Sequence, residues 1–156
     1  MLSVGVIGNS GKEIAKTFLR MYPDMIQCYH ITEDTPPPTK VNVLVAAEPS
    51  PLLASVLPTL GYGDYLVVNA DDRRIFPLLD LCGAKLITYG FNTRACITAS
   101  SVTRDDMQIC IQRAFYGIDG AERVPCEFSA KLDSHESSFT VLGAAAVCAV
   151  LSGRGL

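Results

Sequence analysis

Apolar residues fall along this chain in short blocks separated by polar and turn-forming residues, and the length of the blocks changes in a regular way. Runs at 2–7, 25–31, 41–47, 64–69 and 84–88 are four to eight residues long and bounded by Gly, Pro, Asn or Asp, so they read as strands. The run at 41–47 is almost continuously apolar, as expected of a strand covered on both faces. Between these runs, 11–21 sets Ile14, Phe18 and Met21 on one helical face, and 51–60 and 72–81 also read as helices. Pro36-Pro37-Pro38 predicts an extended loop over 32–40, because proline offers no N–H to a helix. This βα repetition predicts a mostly parallel sheet with helices packed on it.

The pattern then shifts. Segments 95–102, 107–115 and 124–132 read as strands, parted by Asp105-Asp106 and by Gly117-Ile118-Asp119-Gly120, which supply turn chemistry. They predict an antiparallel segment, with the change of sheet type at 89–93. An Ala-rich helix over 137–151 closes the chain. The reading is one α/β domain over 1–156. It has a parallel βα part (1–90), antiparallel strands (94–132) and a closing helix (137–151).

Composition narrows the function classes. A length of 156 residues, 49% of them hydrophobic, suffices for one buried core. A net charge of −3 without a basic run gives no reason to expect a nucleic-acid partner. The longest apolar run, 139–151, is shorter than the ~20 residues a bilayer demands. The first strand passes at once into glycines, unlike a secretory leader. A cytoplasmic protein without a membrane partner is therefore expected. The cysteines Cys28, Cys82, Cys96, Cys110, Cys126 and Cys148 form no Cys-x-x-Cys pair and sit mostly in apolar runs, the setting of free buried thiols. His30 and His135 are far apart and suggest no zinc site. The apolar composition suits a protein partner or a homo-oligomer.

Candidate chemistry begins where the first strand meets Gly8-Asn9-Ser10-Gly11-Lys12. Glycines let backbone N–H groups approach an anion, a helix N-terminus adds positive potential, and Lys12 adds a full charge, so the turn can cradle phosphate. The same residues also make an ordinary strand-to-helix turn. Glu13 follows the lysine, where a P-loop places the Ser or Thr that holds Mg²⁺. Glu48 stands at the end of the apolar strand, where an acid can hold Mg²⁺ or remain a solvated loop carboxylate. Asn69-Ala70-Asp71-Asp72 ends the next strand, and Asp71 or Asp72 can cap the following helix. His135, between Ser134 and Glu136, fits a capping or surface role.

On these residues the chain resembles the central ATP-binding domain of the Mur ligases, enzymes that add amino acids to peptidoglycan precursors, and their folylpolyglutamate synthetase relatives. The family has a hydrophobic strand ending in Asn-x-Asp-Asp, similar to Leu66-Val67-Val68-Asn69-Ala70-Asp71-Asp72, then a short strand ending in an aromatic and glycine, similar to Ile87-Thr88-Tyr89-Gly90. An antiparallel segment follows, and a Gly-x-His-Asn-x-x-Asn motif opens an Ala-rich helix. Here that place is held by Ser134-His135-Glu136-Ser137-Ser138-Phe139, before Leu142-Gly143-Ala144-Ala145-Ala146. Gly8-Asn9-Ser10-Gly11-Lys12 resembles the family's Gly-Thr-Asn-Gly-Lys-Thr-Thr loop, and Glu48-Pro49-Ser50 its Mg²⁺-binding Glu-x-Ser-Ser segment.

The resemblance implies ATP and Mg²⁺ as cofactors, with Gly8, Asn9, Ser10, Gly11, Lys12, Asn69, Asp72 and His135 at the nucleotide and Glu48 at the metal. It also shows departures. Glu13 replaces the hydroxyl residue, while Glu136 and Phe139 replace two asparagines, one of which helps bind adenine in the family. The interval between Lys12 and Asn69 is roughly half what the family uses, and the flanking substrate and C-terminal domains have no counterpart in this sequence. Such positioning can supply ~7–11 kcal/mol of barrier reduction. The implied function is a degenerate domain with no catalytic residue, not a competent ligase alone. It would retain weak nucleotide or phosphate binding and act as a regulatory or interaction module in cell-wall metabolism. The alternative is an NAD(P)-binding enzyme or sensor, from Gly5-x-x-Gly8-x-x-Gly11 and from Glu33 or Asp34 placed to meet a ribose.

Overall fold

The computed structural model describes residues 2–22, 27–36 and 40–152. In chain order the elements are β1 (Ser3–Ile7), α1 (Gly11–Met21), β2 (Gln27–His30), β3 (Val43–Ala46) and α2 (Leu53–Val56), which runs into a 3₁₀ turn (Leu57–Thr59). Then come β4 (Tyr65–Asn69), a 3₁₀ helix (Arg73–Leu81), β5 (Lys85–Tyr89), β6 (Ile97–Val102) and β7 (Asp106–Ile111). β8 (Phe115–Tyr116), β9 (Glu122–Arg123), β10 (Cys126–Lys131) and α3 (Ser138–Leu151) complete the chain. Residues 25 and 26 of the expected second strand, and 37–39 of the expected proline loop, lie outside the described residues.

Eight strands make one sheet in the order β10-β7-β6-β5-β4-β3-β1-β2, and β8 and β9 form a separate hairpin. The strands from β2 to β6 run parallel, while β7 and β10 are antiparallel to their neighbours. The fold is therefore α/β, with a mostly parallel sheet, flanking helices, an antiparallel segment and a C-terminal helix.

Three expectations need correction. The sheet changes type between β6 and β7 rather than at 89–93, since β6 pairs parallel to β5 through Tyr89 and Ile97. A parallel return along a whole strand takes a dozen or more residues. The loop over 90–96 is shorter, so β6 begins level with the end of β5 and runs on past it. Second, the strand expected over 107–115 stops at Ile111. Gln112 still reaches across, its N–H bonded to Cys96 O and its side-chain amide to Ala95 O, but beyond it Phe115–Tyr116 pairs with β9 instead. Third, the helix expected at 72–81 is 3₁₀, with Pro77 inside it. Proline removes one N–H and crowds the preceding turn, which opposes an α-helix.

Both sheet faces are covered. On one, α1 and α3 bury Val4, Val6, Val43, Val45, Val67 and Ile87. On the other, Leu53, Leu57, Leu60 and Ile75 from α2 and the 3₁₀ segments pack on Leu44, Leu66 and Val68. α3 is apolar all round and buried from Thr140 to Leu151, the signature of a core helix. Gly143 lets it approach closely, since a Cβ there would lie 3.2 Å from the Tyr89 ring. Burial also pushes the Cys148 thiol up to about 12, so it behaves as a small hydrophobe. Among the described residues no helix is long and apolar enough to cross a membrane.

The C-terminus of α3 is sealed by the β8–β9 hairpin. Ile118 N donates to Val150 O at 2.9 Å, and Arg123 Nε donates to Ala149 O at 2.7 Å. The Arg123 side chain, 3% exposed, also bonds Ala121 O and pairs with Asp119. A cation here complements the negative end of the helix. Replacing Arg123 by Met should cost about 3 kcal/mol, because two carbonyls lose their donors. Chemical denaturation checks this, and Arg123→Lys should recover part of the loss.

Candidate functional site

The chain leaves β1 toward β2 on one side and returns to β3 on the other, so the strand order reverses between β1 and β3. In open α/β sheets, ligands bind outside the strand carboxyl ends at such a reversal. Two pieces meet there: the 8–11 turn from β1 into α1, and Glu48 just past β3. Gly8 has φ +123, a conformation that other residues adopt only with strain, and its O accepts from Gly11 N at 3.0 Å. The His30 ring lies behind the turn, with Nε2 3.2 Å from Gly8 O.

The donors of the turn already have an anion. Ser10 N donates to Glu48 Oε2 at 3.2 Å, and Ser10 Oγ donates to Glu48 Oε1. The same carboxylate presses on the bare Cα of Gly8, where any Cβ would strike it. Lys12 and Glu13 both stand exposed on the first turn of α1, so their charges oppose each other beside the turn. A cavity of about 240 Å³ opens next to Glu48, lined in part by Ser10, Asn69, Tyr89, Ser137 and Phe139. Burial pushes the Tyr89 phenol well above its ordinary range, with Glu48 and Asp71 adding to the effect. The rings of Phe91 and Phe139 meet edge-on at 4.7 Å.

The adjoining loop is organised by Asp71. Its carboxylate accepts from Phe91 N at 2.7 Å, Asn92 N at 3.1 Å and Asn92 Nδ2 at 2.6 Å, and Gly90 beside it leaves room for no side chain. Asp72 caps the 3₁₀ helix by accepting from Arg74 N, and the Arg74 guanidinium holds its carboxyl below the usual range. Between these loops runs an open groove of about 1100 Å³.

The structure thus gathers Gly8, Ser10, Gly11, Glu48 and Asn69 at one point. Asn9 is exposed at the tip of the turn, Asp72 faces Arg74, and His135 is exposed and lines neither cavity. The cap of α3 is Ser137, whose hydroxyl accepts from Thr140 N. Glu136 faces α1, taking hydrogen bonds from Thr17 and from both Nε and Nη2 of Arg20. Reading the sequence missed these roles of Asp71 and Glu136, and only their partners reveal them.

Glu48, the residue expected to hold Mg²⁺, is engaged by Ser10. Among the described residues no group of three or more His, Cys, Asp or Glu is placed to hold a metal, and both Glu48 oxygens face Ser10. A small cavity fits a whole nucleotide poorly, since ligand pockets span ~300–1,000 Å³.

No family model and no curated protein matches this sequence. Its backbone is similar to a crystal structure of MurF ligase from Thermotoga maritima in complex with ADP, with a TM-score of 0.54 at 16% identity. The match covers 94% of this chain and 44% of that one. The fold is Mur-ligase-like. This chain spans less than half the length of that ligase.

Glu48 in the turn can be tested by stability. Gly8→Ala should destabilise by about 2 kcal/mol, through backbone strain and collision with the carboxylate. In a Glu48→Ala background the same change should cost less, because the collision with the carboxylate is gone while the strain and the 2.9 Å approach to the residue-48 backbone N remain. Gly63→Ala, with nothing near its Cα, serves as the control in denaturant titrations.

Proposed function

We propose that this chain is a Mur-ligase-like domain that does not catalyse ligation on its own, and that it binds a nucleotide phosphate weakly at the Gly8–Lys12 turn. In this reading it serves as a regulatory or interaction module in cell-wall metabolism. One observation supports it above others: the Glu48 carboxylate takes the Ser10 N–H and hydroxyl that a phosphate would need. A phosphate must displace this carboxylate, and two like charges about 4 Å apart repel by ~4 kcal/mol at a surface-like dielectric. That competition makes the affinity low. Glu13 lowers it further and supplies no hydroxyl. The MurF ligase of similar fold was crystallised with ADP, which supports a nucleotide as the ligand class.

Calorimetric titration with ADP in the absence of Mg²⁺ tests the reading. Weak saturable binding is expected, lost in Lys12→Ala without a change in melting temperature, because an exposed lysine contributes little to folding. Heat from NAD(P) and none from ADP would instead establish the dinucleotide alternative.

Glu48→Gln gives an independent check. Removing the competing charge should tighten ADP about tenfold, equivalent to ~1.4 kcal/mol. Were Glu48 a Mg²⁺ ligand, the same substitution would weaken ATP–Mg²⁺ binding.

A further inference from the structure

The open groove over the carboxyl ends of β4 and β5 concentrates charge of one sign. Three arginines line it, Arg73 from the start of the 3₁₀ helix, Arg94 from the loop after β5 and Arg113 from the loop after β7. The chain as a whole carries a net charge of −3, so this gathering is not a consequence of composition. Nor are these guanidiniums balanced locally. Among the described residues the ion pairs involve Arg20, Lys40, Arg74 and Arg123, and none of the three. The one carboxylate in the groove wall, Asp71, is turned onto the 91–92 backbone and the Asn92 amide.

The groove wall is held in shape without using up its charge. Arg113 Nη2 donates to Arg94 O, and the side-chain oxygen Oδ1 of Asn92 accepts from Arg94 N and Ala95 N. Guanidinium forks match phosphate oxygens geometrically and, unlike lysine, stay charged at any working pH. Phe76, 42% exposed, adds an apolar face to the same groove, and Thr88 and Thr93 lie along it. The volume, about 1100 Å³, is far more than one phosphate fills.

We propose that this groove binds a phosphorylated small molecule, its phosphate or pyrophosphate seated among Arg73, Arg94 and Arg113 and its remaining body lying against Phe76. The site is distinct from the Gly8–Lys12 turn and stands whether or not that turn binds nucleotide. Its charge favours a dianion, since three guanidiniums face one already occupied carboxylate.

Inorganic pyrophosphate is the probe, titrated calorimetrically into the full chain at low ionic strength. One saturable site is expected, retained in Lys12→Ala and weakened at least tenfold in Arg73→Glu and in Arg94→Glu. Both arginines are exposed and neither side chain donates a hydrogen bond among the described residues, so melting temperatures should stay unchanged. Citrate, matched in charge, separates phosphate from carboxylate recognition and should bind at least tenfold more weakly than pyrophosphate. Absence of saturable binding, loss of binding in Lys12→Ala, binding that survives both reversals, or citrate binding as tightly as pyrophosphate would each overturn the proposal.

Discussion

Parallel strands that end together leave a row of turns whose backbone N–H groups point outward and need acceptors. In this protein the acceptors are acidic side chains from neighbouring turns. Glu48 takes Ser10 N, Asp71 takes Phe91 N and Asn92 N, and Asp72 takes Arg74 N. Glu48 and Asp71 each tie the end of one strand to a loop beside it, and Asp72 caps the 3₁₀ helix that follows it, so this edge of the sheet is built by charge-assisted hydrogen bonds. The packed interior fixes where these loops start. The carboxylates fix where they go.

This explains why a turn with the composition of a phosphate cradle does not present itself as an open one. Glycine at position 8 permits the close approach of an anion, and φ +123 shows that the freedom is used. The anion that approaches is Glu48. A helix N-terminus and a flexible turn are agnostic about which oxyanion they meet, and an intramolecular carboxylate at high effective concentration has the advantage over a dilute ligand. Conversion of a ligand site into an internal contact therefore needs no change in the turn itself, only a partner of the right length at the end of β3.

Much of this architecture was legible in the sequence. The α1 boundaries, the buried character of β3, the strand β4 and the closing helix follow from apolar period and glycine placement. What escaped depended on contacts between distant segments. The parallel start of β6 is set by Thr88 Oγ1 accepting from Cys96 N and by Gly90 N reaching Ile97 O, and nothing in local pattern encodes either bond. Likewise, Glu136 reads as a substituted motif residue until Thr17 and Arg20 are seen to meet it from α1. The turn residues of the site were visible as glycine, serine and glutamate. That Ser10 and Glu48 bond each other was not, since 38 positions separate them.

The same constraint accounts for the sign of the surface at this edge. With these acids engaged as acceptors for backbone donors, the charges on these loops that lack an ion-pair partner among the described residues are cationic. Arg74 is drawn in by Asp72, but among the described residues Arg73 next to it, Arg94 and Arg113 have no such partner. A single sequence step, Asp71-Asp72-Arg73-Arg74, thus sorts charge by partner: acids on the backbone, one guanidinium on an acid, and the other toward the groove. The edge whose β1 turn already holds the Glu48 carboxylate has, a few strands away, a wall lined by three arginines.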